Sequence, residues 1–182
     1  MGSRMGGVVS ERDFPAAELR ALVLDGEVWP VDDCVVALDE ANGPFIRAAV
    51  LALELPPRLI VEQHSTAWVW GAAPLPPTRH EVCADISARA RPPLDSGLNV
   101  REVVILHDDI ATLAGIAVTT PMRTAIDLAR FSTQWGQDEI GIVKGLLVMG
   151  GFGILDCARV MNRRRNLPNK KMALERLAQC VS

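Results

Sequence analysis

Apolar residues recur along this chain with two different periods, and each change of period marks a predicted element. Between Pro15 and Asp25, the residues Ala16, Leu19, Leu22 and Val23 fall on one helical stripe. This spacing predicts a helix opened by Pro15 and ended by Asp25-Gly26, with the glycine in the left-handed region. EVWPV and CVVAL then read as short strands around the turn dipeptide Asp32-Asp33. A helix that runs straight into a two-stranded hairpin has the pattern of the second half of a winged helix-turn-helix. Residues 1–9 are placed in no predicted element.

Gly43-Pro44 is the best candidate for a domain boundary. After it, PFIRAAVLALEL (44–55) predicts a second helix, and PPRLIVEQ a turn and a strand. HSTAWVWGA reads as a short helix with Ser65 at its N-cap and Trp68 facing inward, and APLPPT as a rigid linker. RHEVCADI (79–86) and NVREVVILH (99–107) predict strands separated by a polar, proline-bearing loop. The most definite junction is GIAVTTPMRTAIDLARF (115–131). Ile116, Ala117 and Val118 suit a strand, Thr120 an N-cap, and Pro121 the first helical position, where its missing N–H costs nothing. Met122, Ala125, Ile126 and Ala129 form one apolar stripe, while Arg123 and Asp127 stand four apart on another face and can pair. Three more helices follow, in 138–150, in ILDCARVMNRRR and in NKKMALERLAQCV. GGFG (150–153) lacks the strand before it and the helix after it that a phosphate loop needs, and reads as helix termination. The predicted fold class is α+β, with a partial winged helix over 10–42 packed on a mixed β-sheet and helix domain over 43–182.

Composition narrows the function more than the fold. A length of 182 residues, 49% of them apolar, suits one domain with a small appendage. Cys34, Cys83, Cys157 and Cys180 are far apart, so the spacing predicts buried thiols and neither a zinc site nor a disulfide framework. No metal or cofactor is expected. No secretory signal is read, and GLLVMGGFGIL (145–155) is too short to span a bilayer, which together predict a cytoplasmic protein. With 4% aromatics and no tyrosine, a stacking platform for single-stranded nucleic acid is excluded.

Charge is unevenly spread. Residues 1–42 hold three arginines against nine acids, whereas residues 159–176 hold seven basic residues against Glu175 alone. This asymmetry points to charged surfaces in the two terminal parts. An enzyme would need a constellation that is missing from the pattern. His64, His80 and His107 are the only histidines, and His64 and Ser65 are merely neighbours in sequence. Asp85 and Glu102 on consecutive strands lack the lysine two residues on that a nuclease carboxylate set would carry. No catalytic residue is assigned.

Two motifs carry a resemblance. Ser65, Thr66, Ala67, Trp68 and Gly71 make the first, and Val118, Thr119, Thr120, Pro121, Arg123, Thr124, Asp127, Leu128 and Ala129 the second. With the intervening strands and the N-terminal helix and hairpin, residues 14 to 160 resemble the AbiEi-type antitoxins of type IV toxin–antitoxin systems. The resemblance implies a bacterial, non-enzymatic antitoxin that neutralises a cognate nucleotidyltransferase-like toxin through a heteromeric complex. It also implies transcriptional regulation of its own operon through a winged helix, for which Arg12 and Arg20 are the candidate DNA contacts. Toxin contacts are expected at Asp25, Asp32, Asp33, Arg123, Asp127, Arg163, Arg164 and Arg165. Ser65, Trp68, Gly71, Thr119, Thr120 and Pro121, again with Arg123 and Asp127, are expected to hold the motif itself. For Arg123 and Asp127, bracing and partner contact both stay open. The acids Asp25, Glu27, Asp32 and Asp33 stand where a DNA reader needs cations, so toxin binding is the leading expectation and promoter binding the alternative.

Overall fold

The computed structural model describes residues 7–40, 42–87 and 97–181. The chain divides into two compact units, one of residues up to 57 with 112–116, the other of 58–111 with 117 onward. The helix that Pro44 opens groups with the first unit.

In the first unit, β1 (Val8–Val9) precedes α1 (Ala16–Leu24), β2 (Val28–Val31), β3 (Cys34–Ala37) and α2 (Pro44–Ala52). The three strands pair antiparallel in the order β1-β3-β2. β1 lies in the segment that the sequence pattern left unassigned. Two valines are too few to show a period, and only their pairing with Val35 and Val36 makes them a strand. The helix ends as expected, with Gly26 at φ 70° just past its last turn. The hairpin closes through Asp32-Asp33, with Asp32 at φ 54°, a conformation that aspartate tolerates better than most residues. Leu19, Val31, Cys34, Val35, Val36 and the inner face of α2 are buried.

The second unit holds β4 (Ile60–Val61), α3 (Gln63–Trp70), β5 (Glu81–Asp85), β6 (Asn99–Val103), a 3-10 turn (His107–Asp109), β7 (Ile110–Leu113) and β8 (Ile116–Thr119), the tip of this last hairpin grouping with the first unit. α4 (Pro121–Phe131), α5 (Gln137–Gly150), α6 (Ile154–Arg163) and α7 (Lys170–Ala178) follow, with a closing 3-10 turn at Gln179–Val181. The five strands run in the order β6-β5-β4-β8-β7. β4 pairs antiparallel with β5 but parallel with β8, and β5 pairs parallel with β6, so the sheet is mixed and not a meander. Part of the loop joining β5 to β6 lies outside the described residues. Val61, Val82 and Val118 are register neighbours across three strands and are all fully buried. Ile60, Cys83 and Ile105 make another buried cluster, flanked by Val103, Ile110 and Ala117. α4 packs against α3, α5, α6 and α7 and is the central helix of this unit. The α+β class thus stands, and all four cysteines are buried free thiols. No single helix among the described residues is long and apolar enough to cross a membrane, and α5 with α6 meets that length only as a pair bent by 88°.

Candidate functional site

The junction before α4 is built by local chemistry. Thr120 takes an extended conformation, and its hydroxyl accepts from the Arg123 amide at 3.3 Å, while Pro121 occupies the first turn. Thr119 and Thr124 join their hydroxyls at 2.8 Å, and Thr124 donates to the Thr120 carbonyl at 2.9 Å. The Trp70 indole N–H donates to the Thr119 carbonyl at 2.9 Å, tying the end of α3 to the end of β8. The capping roles follow from residue type and position alone.

What the helix then presents is an inward row of charge. Arg123, Asp127 and Arg130 are each at most 5% exposed. Arg123 donates through Nε to Asp127 at 2.7 Å and through Nη1 to Asp109 at 2.7 Å. Arg130 donates through Nη1 to the other oxygen of Asp127 at 2.9 Å, and through Nε to the Pro168 carbonyl at 2.9 Å. Arg101 on β6 forks onto Glu62 with bonds of 2.6 and 2.7 Å and lies 4.0 Å from Asp127. Arg164 closes the set on the outer oxygen of Asp109. Four guanidinium groups therefore share three carboxylates, Glu62, Asp109 and Asp127. The guanidiniums of Arg101 and Arg130 also lie 4.5 and 4.4 Å from the Phe131 ring centre.

Burial opposes charge on Arg123, but Asp127 and Asp109 outweigh it and raise its pKa. Burial likewise opposes charge on Asp109, and Arg164 and Arg123 hold its carboxyl below the usual range. A buried network of this kind adds little net stability over apolar packing, yet breaking it exposes uncompensated charge and is costly. Its contribution is geometric. It ties α4 to the turn before β7 and to the segment 164–168, and brings Arg101 of β6 within 4.0 Å of Asp127. Arg176 extends the same attachment by donating to the carbonyls of Ala129 and Ser132 at the C-terminal end of α4.

A second cluster lies around His64. Its Nδ1 is 3.0 Å from Glu81 and its Nε2 is 3.1 Å from Glu139, which is 6% exposed. The hydrogen bonds to Glu139 and to Glu81 raise the His64 pKa to about 10, burial opposing them. An imidazolium held between two carboxylates stabilises the fold fully below the ordinary histidine pKa, near 6.5, and loses that contribution as pH rises towards about 10. Stability is accordingly expected to fall across this window by up to a few kcal/mol, since each tenfold gain in proton affinity on folding is worth about 1.4 kcal/mol. His64→Gln should lower stability at neutral pH and flatten that slope. Urea melts at a series of pH values check this, and a slope unchanged in His64→Gln would remove His64 as its source.

Ser65 is not the N-cap expected of it. Gln63 adopts φ 50°, and the helix starts there, two residues earlier, with Glu62 as the flanking residue. Ser65 is instead fully buried. Its hydroxyl accepts from the Glu81 amide at 2.8 Å and contacts His80 Nδ1 at 3.0 Å, joining α3 to β5. Trp68 faces inward at 3% exposure, and Gly71 ends the helix at φ 88°. Arg123 and Asp127, for which both roles stood open, are buried and paired with each other inside the network. Arg164 is half-buried on Asp109, whereas Arg163 and Arg165 are exposed. In the first unit Asp25 and Asp33 are exposed and Asp32 is half-buried in the turn. Arg12 donates to the Leu53 carbonyl at 2.6 Å and lies 4.0 Å from Glu54, and Arg20 is exposed on α1.

Asp85 and Glu102 fall out of step. Ala84 is the register partner of Glu102 and Asp85 that of Val103, so the two acids point to opposite faces and cannot share a metal ion. Glu62, His64, Glu81, Arg101, Asp109 and Glu139 were missed by pattern reasoning. One signal was available: Glu139 stands at the spacing of Val143 and Leu146, a charge on an apolar stripe.

The second unit is thus a mixed sheet beside a capped helix that an arginine–carboxylate network holds in place. Residues 60–139 match the family described as AbiEi antitoxin C-terminal domain. The matched segment holds both motifs, the His64 cluster and all of the brace except Arg164 and the 166–168 segment. Among solved structures, the RV2827C protein from Mycobacterium tuberculosis shares the fold at 16% identity, with a TM-score of 0.51, over 98% of this chain and 72% of that one. No curated protein matches.

Proposed function

We propose that the chain neutralises a nucleotidyltransferase-like toxin by binding it directly, and that the first unit supplies the docking surface. The observation that carries this reading is the character of that unit. Residues 7–57 hold ten acids against Arg12, Arg20 and Arg47, and the acids Asp25, Glu27, Asp33 and Asp39 are exposed. Leu24, at 87% exposure, Trp29 and Leu38 stand exposed among them. Acid mixed with exposed apolar residues favours a basic protein partner and opposes DNA. A toxin that transfers nucleotides to RNA must hold phosphates, so its active groove is expected to be basic. Arg12 is held by Leu53 and Glu54, which weakens it as a phosphate contact.

Co-expression with the neighbouring gene, followed by size-exclusion chromatography and calorimetry, tests the reading. A stable complex is expected. Growth rescue without any complex would sink inhibition by contact and move the case to modification of the toxin. Promoter binding remains the second reading, because α1 leads directly into the β2–β3 hairpin as in the latter half of a winged helix. A salt-dependent gel shift on the chain's own promoter separates the two, and only weak, non-specific retardation is expected.

A further inference from the structure

The brace also forms one wall of a cavity of about 690 Å3 within the second unit. That volume lies in the range of sites that enclose small molecules. Arg101, Arg123, Arg130, Arg164 and Arg165 all line it. The first four are the guanidiniums that share only three carboxylates, and these carboxylates lie behind them. Among the lining residues Arg165 adds another cation and Glu102 one exposed anion. The positive excess therefore faces the cavity. The forks are also held in fixed orientations by their buried partners, which is how a protein prepares donors for a planar oxyanion. The remaining walls are apolar: Leu106, Phe131, Leu167 and Pro168 line them, with exposed Val104 among the other lining residues.

We infer that this cavity is a binding site for a small organic oxyanion, a carboxylate or phosphate ester carried on an apolar body. The oxyanion engages the arginine side and the body lies against the Leu106, Leu167 and Pro168 side. This inference is independent of toxin docking, since it uses residues of the second unit only.

The test uses the full chain, calorimetry and thermal melts at constant ionic strength. The probes are naphthyl phosphate, naphthylacetate, inorganic phosphate and neutral naphthylmethanol. One of the two naphthyl anions is expected to bind at least about tenfold more tightly than inorganic phosphate, with naphthylmethanol weaker still. Which of the two binds more tightly decides between phosphate ester and carboxylate. Arg165→Ala and Val104→Glu alter exposed residues outside the brace, so melting of the ligand-free protein should be unchanged. Each should weaken the preferred anion by roughly fivefold or more. Failure of both anions to bind, binding no tighter than that of the neutral analogue, or affinity unaffected by both substitutions would each overturn the inference.

Discussion

Replacing Asp127 by alanine is expected to destabilise the second unit by about 3–5 kcal/mol, the cost of leaving buried guanidiniums without their counter-charge. Asp127 is fully buried and accepts from Arg123 at 2.7 Å and Arg130 at 2.9 Å, with Arg101 4.0 Å away. It is the one carboxylate with three guanidiniums within 4.0 Å, among the described residues. Against a typical domain stability of about 5–15 kcal/mol, such a loss is a large fraction of the total. Arg123→Ala should cost less, about 1–3 kcal/mol, because Asp127 keeps Arg130 and Asp109 keeps Arg164. The double mutant should fall short of the sum, since both changes remove the same bond. Asp127→Asn separates charge from volume, and most of the loss should persist in it. Urea titrations of the four proteins supply the cycle. A loss below about 1 kcal/mol in Asp127→Ala would show that water or a local shift compensates the guanidiniums, and would remove the brace from this account. An unchanged melting temperature with lost toxin binding would return Arg123 and Asp127 to the interface.

The parts of this architecture that were legible in sequence are the local ones. Thr120-Pro121 and the stripe of Ala125, Ile126 and Ala129 fix α4 because capping and helical period act over a few residues. The pairing of Arg123 with Asp127 is equally local, four residues along one helix. Its burial was not legible. An exposed pair and a buried pair have the same spacing, and the difference lies in Asp109, 14 residues away from Arg123, and in the cover supplied by the helices around α4. Glu62 and Arg101, 39 apart, meet because β5 lies between the end of β4 and β6, antiparallel to one and parallel to the other. Strand periodicity reports which face a residue takes, not which strand lies beside it. Ser65 shows the opposite failure. Its type suits an N-cap, but Gln63 accepts a left-handed backbone that residue preference disfavours, and the helix begins early.

The brace bears on function through rigidity. A chain that neutralises a partner by contact needs its surfaces in fixed relation to their own cores, because each side chain ordered on binding reduces affinity. The network bonds α4 to the segment after α6 through Arg130 and Pro168, and the exposed arginines Arg163 and Arg165 flank Arg164, which the network anchors on Asp109. The basic segment thus sits beside a fixed point.

Reversal of Asp25 and Asp33 to lysine is expected to slow toxin association roughly tenfold at low salt, on the reading that the first unit docks on the toxin's basic groove. Both acids are exposed, and Asp25 has φ −74°, so lysine introduces no backbone strain there. Asp32 is the poorer choice although it lies beside Asp33. Its φ of 54° favours aspartate over lysine, and a fold change there would mimic a docking defect. The double substitution replaces two negative charges by two positive ones without touching a buried group. Complementary charge of this kind chiefly accelerates encounter, so the dissociation rate should change much less. Near 1 M salt, where the screening length is about 3 Å, the two proteins should associate at similar rates. Stopped-flow measurements across salt concentrations, with melting curves of both proteins as the control, decide the matter. An association rate unaltered at low ionic strength would remove the first unit from the toxin's groove, and Arg163 and Arg165 would become the next charges to reverse. A slower rate that salt does not restore would point instead to direct contacts made by these side chains, a change in fit rather than in steering.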